Sequence, residues 1–276
     1  MMIDPSTAPL AGKARAVVRS IRERGPALVA LSGGVDSSLV AALAYEALGT
    51  SAVAVTLVGP AVAEHEVHRA SGVARSIGIP HVLRSVDPLG SAEYRANPSD
   101  RCFFCRTAET TVLLSEGHAR GLRQYLDGVH LDDLGDDRPG LIAMERAGFL
   151  HPLVEGRFTK EEVREAARAR ALPNWDEPSD ACLASRVRHG IPISGELLGR
   201  IEQGEALVRA AGFRRVRLRV DGEGARIEVD PEEVTRLQRE VAGSSLIAAI
   251  EALGFERVRV DPHGYHGARL GASPAP

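Results

Sequence analysis

Ser32-Gly33-Gly34-Val35-Asp36-Ser37-Ser38 is the first stretch of the 276-residue chain whose residue types could do chemistry. It follows the apolar run ALVAL at 27–31 and precedes LVAALAYEAL, which reads as a helix closed by Gly49. Gly33 and Gly34 let the backbone turn its N–H groups toward one point. The helix behind them adds its positive N-terminus, and Ser32, Ser37 and Ser38 supply hydroxyl donors. Such a loop suits a pyrophosphate. No Lys-Ser/Thr pair follows, so an ordinary kinase-type phosphate loop is excluded. Asp36 would repel phosphate directly, and its sensible place is beside Mg²⁺. The bland alternative is a glycine turn with a Ser/Asp helix cap.

Sulfur chemistry is the second possibility. The chain has three cysteines: Cys102 and Cys105 in RCFFC, and Cys182 far downstream. An i, i+3 spacing puts two thiols on one helical face or one tight turn. A structural zinc wants four ligands, and no histidine partners Cys182 closely. A redox dithiol would leave the third cysteine unexplained. Three thiolates on an iron–sulfur cubane would leave one iron without a protein ligand, open to an extra sulfide. Three unrelated buried thiols remain the alternative. A third candidate is FRRVRLRV at 213–220, where Val216, Leu218 and Val220 face one way and Arg215, Arg217 and Arg219 the other. Arginine forks suit phosphate oxygens, although an ordinary solvated strand face would look the same.

These groups need elements to hold them. Helices are predicted at 7–24, 63–77, about 103–116, about 160–171 and about 195–211, with strands at 27–31, 52–57, 81–86 and 124–129. Thr159-Lys160-Glu161-Glu162 is a capping box that starts one of those helices. Strands alternating with helices predict an α/β fold with a doubly wound, mostly parallel sheet. Beyond it, strands at 213–220 and 225–229 form a hairpin with a four-residue turn. A helix begins at Pro231, another runs from Ala242 to Leu253, and a last strand spans 255–260. The reading is a first domain over 1–190 and a smaller C-terminal α+β domain over 191–276, for substrate binding or oligomerisation, with a frayed end from Gly264 to Pro276.

Composition excludes other classes. The net charge of −3, from 34 Lys and Arg against 37 Asp and Glu, argues against a polycation coating nucleic acid. Eleven aromatics (Trp 1, Tyr 4, Phe 6) are too few for base-stacking platforms. No apolar run approaches the roughly 18 residues of a membrane span, and the N-terminus lacks the apolar core of a signal peptide. A cytoplasmic homo-oligomer is expected.

The loop SGGVDSS after ALVAL resembles the signature of the PP-loop ATP pyrophosphatase superfamily. Its members split ATP to AMP and pyrophosphate, adenylating a substrate oxygen that a nitrogen or sulfur nucleophile displaces. PSDACLASR (178–186), HLDDLGDDRPG (130–140), NPSDRCFFCR (97–106) and the hairpin ending in ARIEV together look like the LarE family. That family is the sulfur transferase that makes the nickel-pincer nucleotide of lactate racemase, and the resemblance covers residues 10 to about 260. One branch has only the cysteine matching Cys182, which surrenders its own sulfur and becomes dehydroalanine. The other holds a 4Fe–4S cluster on three cysteines, and with Cys102, Cys105 and Cys182 all present this sequence resembles that branch. The resemblance implies a site in which Asp36, Cys182, Ser185 and Arg186 act. Ser32, Gly33, Gly34, Asp36, Ser37, Ser38 and Asp132 then hold ATP and Mg²⁺, while Arg217 and Arg219 hold the phosphate of a small nucleotide substrate. Asp133 and Arg138 fall near the same ATP edge, and Glu205 and Glu228 near the substrate. Where the family has a small or amide pair, this chain has Val129-His130. The implied reaction adenylates a carboxylate of pyridinium-3,5-biscarboxylic acid mononucleotide and converts it to a thiocarboxylate. Rival readings are a tRNA thiolase with a three-cysteine cluster and a non-catalytic nucleotide sensor or metal store.

Overall fold

The run at 27–31 is apolar without alternation because helices cover both of its faces. The structure, a computed structural model, describes residues 8–134, 139–178, 180–222 and 224–265. In chain order its elements are α1 (Ala8–Arg24), β1 (Ala27–Ala30), α2 (Val35–Leu48), β2 (Ala52–Val58), α3 (Glu64–Ile77), β3 (His81–Ser85), α4 (Ala92–Arg95), α5 (Arg101–Ala119) and β4 (Gln124–Leu126). There follow α6 (Pro139–Arg146), α7 (Pro152–Glu155), α8 (Lys160–Ala169), α9 (Gly195–Ala210), β5 (Val216–Val220), β6 (Gly224–Val229), α10 (Val234–Gly243), α11 (Leu246–Glu251) and β7 (Arg257–Val260). The start of the leading helix at residue 7, Arg138, Ser179, Glu223 of the hairpin turn and the segment beyond 265 lie outside the described residues.

The chain divides into two units, one of Met1–Asp87 with Cys102–Asp180 and the other of Pro88–Arg101 with Ala181–Pro276. In the first, four parallel strands stand in the order β3-β2-β1-β4. This is the α/β parallel sheet the strand–helix alternation predicts. Ala27, Val29 and Leu31 join a core with α1, α2 and α8, whereas Leu28 joins a second core with Leu113 of α5 and Met144 of α6. Each such leucine or valine, removed from water, stabilises the fold by about 1.5–3 kcal/mol. The strand order reverses beside β1, so the carboxyl ends of β1 and β4 flank the crevice where such sheets bind ligands. β4 stops at Leu126 rather than at 129, because the Asp127 carboxylate accepts the Val129 N–H at 3.1 Å and turns the chain. No described helix is long and apolar enough to cross a membrane.

The second unit is a three-stranded sheet in the order β5-β6-β7. β5 and β6 are antiparallel, with the Val220–Ala225 pair closing the predicted hairpin, and β7 adds in parallel to β6. This unit begins at Ala181, earlier than a boundary after 190, and it also takes in residues 88–101. Asn97 explains the second difference. Fully buried with φ 54°, it donates from its amide to Arg188 O and Ile191 O, both at 2.9 Å, and accepts from Arg101 Nη1 at 2.6 Å. The same Arg101 nitrogen donates to Ala184 O at 3.0 Å.

Candidate active site

The glycine loop is built from the end of β1. Gly33 takes φ +82°, and a Cβ there would stand 2.9 Å from Glu66 O and 3.0 Å from Ala70 N on α3, so only glycine lets the loop lie this close. Gly34 caps α2 in extended conformation. Its carbonyl accepts from Ser37 Oγ at 3.1 Å and from Ser38 Oγ at 2.8 Å, while Ser32 N donates to Ser37 Oγ at 3.2 Å. Ser38 departs from the expectation of a phosphate donor: it is fully buried, and its hydroxyl is spent on the loop's own carbonyl. The N–H groups at the start of α2 are the donors this loop presents.

Asp36, in the first turn of α2, accepts from Lys160 Nζ on both carboxylate oxygens, at 2.7 and 2.6 Å. Lys160 opens α8 behind the Thr159 cap, and its backbone N–H donates to Asp132 Oδ2 at 2.7 Å. Asp132 is thus brought beside the loop, engaged as a second cap of that helix. His130, nearly buried, holds Nε2 3.4 Å from Asp133 Oδ2 and 3.7 Å from Asp36 Oδ1. Gly128 lets the end of β4 touch the helix start. A Cβ there would meet Ser37 N at 2.6 Å and Asp36 C at 2.9 Å, both backbone atoms that cannot yield cheaply. Gly128→Ala is therefore expected to lower stability by about 1–3 kcal/mol and to weaken nucleotide binding, read by thermal denaturation and titration. An unchanged melting temperature and affinity would contradict this packing.

Sequence reasoning did not find Lys160, Gly128 or Asn174. Asn174 is buried after α8, and its amide donates to Gly33 O at 2.7 Å and Ser38 Oγ at 2.9 Å. The capping box located Lys160 on its helix, but no local signal names Asp36 as its partner.

In the second unit, Cys182 precedes a single 3₁₀ turn, Leu183–Arg186. Arg186, buried, donates to Ala181 O, to Cys182 O at 3.1 Å and to Ser185 Oγ at 3.2 Å. Its other nitrogens meet both oxygens of Glu205, at 2.7 and 3.1 Å. Glu205 is fully buried on α9 and also takes Arg209 Nη2 at 2.8 Å and Leu218 N at 3.0 Å. Burial pushes its carboxyl upward, but Arg186, Arg209 and Arg217 outweigh that, and the net shift is downward. With every lone pair occupied, Glu205 is an anchor for Arg186 and not a metal ligand.

The arginines of β5 do not form a solvated face. Arg217 is 2% exposed, paired across the strands with Glu228, and lies over the Tyr265 ring at 5.6 Å. Arg219 donates to Glu228 Oε2 and Ser185 O, each at 2.9 Å. The alternative of a solvated strand face thus fails, because the cross-strand Glu228 and the Tyr265 ring lie against these arginines.

No disulfide joins any of the three cysteines. Cys102 is exposed and Cys105 half-buried near the start of α5, where Cys105 Sγ donates to Glu109 Oε1 at 3.3 Å. Reduced thiols suit iron in kind. Among the described residues no three His, Cys, Asp or Glu side chains gather into a metal-holding group. Mg²⁺ needs less from the protein, one or two carboxylates with substrate phosphates completing its shell, and Asp36 beside the loop fits that requirement.

The Asparagine synthase family profile matches residues 14–120, from α1 through α5. An uncharacterized protein of Synechocystis sp. is 39% identical over 244 residues, covering 88% of this chain and 91% of that one. The pyridinium-3,5-bisthiocarboxylic acid mononucleotide synthase of Lactiplantibacillus plantarum is 28% identical over 264 residues, 95% of each chain. An uncharacterized protein of Methanocaldococcus jannaschii is 26% identical over 234 residues, covering 85% of this chain and 88% of that one. With the glycine loop at the strand-order reversal and similarity running nearly end to end, the chain belongs to the LarE family of PP-loop proteins.

Proposed function

We propose that the protein is an ATP-dependent sulfur transferase that acts on pyridinium-3,5-biscarboxylic acid mononucleotide in nickel-pincer nucleotide synthesis. The observation that carries the reading is the glycine loop with Asp36 at the carboxyl edge of β1. The full-length likeness to the Lactiplantibacillus plantarum synthase supports the choice of substrate. A bare carboxylate is a poor electrophile with a poor leaving group. Attack of its oxygen on the α-phosphorus of ATP forms a C–O–P link and expels pyrophosphate. A sulfur nucleophile then forms the C–S bond as the C–O bond to AMP breaks, leaving thiocarboxylate.

In this scheme the N–H groups at the start of α2, with the Ser32 hydroxyl, hold the leaving pyrophosphate, where preorganised donors are worth most, and Ser37 and Ser38 brace the loop through Gly34 O. Asp36 would hold Mg²⁺, which offsets phosphate charge. Arg217 and Arg219 would hold the phosphate of the pyridinium nucleotide, and Ser185 and Arg186 would frame Cys182. Cys102, Cys105 and Cys182 would hold a 4Fe–4S cluster, which would supply the sulfur nucleophile.

Anaerobic reconstitution tests the cysteine assignment. Wild type is expected to bind about four irons per chain, and each Cys→Ala variant to lose iron and sulfur transfer together. A single turnover without iron, with the chain lighter by roughly the 34 Da of H₂S as Cys182 becomes dehydroalanine, would overturn it.

A further inference from the structure

We infer that Asn174 is a positioning residue for the nucleotide loop, its side-chain amide setting the directions in which the loop's N–H groups face phosphate. The inference rests on the ATP reading above and deepens it. Both N–H bonds of the Asn174 amide are committed to the loop. One is held by Gly33 O at 2.7 Å and the other by Ser38 Oγ at 2.9 Å. A carbonyl accepts only, so this contact settles which end of the amide is nitrogen.

Ser38 passes the second contact on, donating its own hydrogen to Gly34 O at 2.8 Å. Asn174 thus holds two consecutive loop carbonyls, one directly and one through a hydroxyl. A peptide unit is planar, so holding the Gly33 carbonyl orients the N–H of Gly34, and holding the Gly34 carbonyl orients the N–H of Val35. Those are the amides at the N-terminus of α2. Gly33, at φ +82°, lies against the α3 backbone on one side, and the Asn174 amide holds its carbonyl on the other.

The asparagine is itself held firmly. It is 2% exposed. Arg164 of α8 donates to Trp175 O and Glu177 O, each at 3.1 Å, and Asp180 accepts from Arg69 of α3 at 2.9 Å. Asn174 Oδ1 has no partner among the described residues, so the amide's side-chain hydrogen bonds are those of its nitrogen to the loop. A site held by packed second contacts keeps its donors in the productive direction without reorganisation.

Calorimetric titration with ATP, AMP and inorganic pyrophosphate tests the assignment. Asn174→Ala is expected to lose about tenfold in affinity for ATP and pyrophosphate, with AMP binding unchanged, as loss of an N–H contact to a charged group implies. Ser38→Ala, which removes only the relay to Gly34, is expected to lose affinity for the same two ligands by less, and it carries the test should Asn174→Ala not fold. Equal losses for all three ligands, or none, would overturn the inference as a purely structural role. A wild type that binds AMP but no pyrophosphate would overturn the phosphate-loop reading, and this inference with it.

Discussion

Replacing Glu205 with leucine is expected to destabilise the second unit by about 3–5 kcal/mol, the cost of leaving a buried partner charge uncompensated. The Arg186 and Glu205 side chains are 1% and 0% exposed, so water cannot take over from either partner. Arg186 would keep its charge and lose both carboxylate oxygens, and Leu218 N and Arg209 would each lose an acceptor. Urea denaturation at neutral pH measures the loss, and a midpoint equal to wild type would contradict the buried network. The pH dependence supplies a second reading. The Glu205 carboxyl lies below its ordinary value in the folded protein. Its contribution is therefore complete above the ordinary carboxyl range and is lost as pH falls through the lowered folded value. Wild type should accordingly lose stability more steeply than Glu205→Leu on acidification, so that the two curves converge.

Asp36→Ala is expected to reduce substrate-dependent pyrophosphate release by about a thousandfold, the upper range for losing one electrostatic stabiliser in a preorganised site. The fold should survive. The Asp36–Lys160 pair is about one-quarter exposed on each side, and such partly solvated pairs contribute roughly 0–1 kcal/mol. Circular dichroism and the melting temperature are thus expected to match wild type while turnover collapses. Retained turnover would show that Asp36 serves only as the partner of Lys160.

The parts legible in the sequence are those written in local pattern. The run at 27–31, with its strand at 27–30, the glycine pair, the capping box at Thr159 and the hairpin read at 213–220 and 225–229, with strands at 216–220 and 224–229, all recur, because period, caps and turn chemistry act over a few residues. What escaped depends on partners far along the chain. Asn174 meets Gly33 across 141 positions, and Lys160 meets Asp36 across 124. Residues 88–101 fall inside the first domain as read from the sequence, yet Asn97 and Arg101 tie them to the 184–191 segment. Whether Arg217 sits on a solvated face is not written in an isolated strand, and its burial comes with Glu228 across the sheet and the Tyr265 ring 48 positions on. Gly128 carries no local signal, since what excludes a larger residue is the start of α2.

The most direct test of the proposed reaction is mass spectrometry of the pyridinium nucleotide after anaerobic incubation of the reconstituted protein with ATP, Mg²⁺ and sulfide. The account predicts exchange of one carboxylate oxygen for sulfur, with AMP and pyrophosphate formed in step with the thiocarboxylate. ADP and orthophosphate as the products, or a nucleotide unchanged while ATP is consumed, would contradict it.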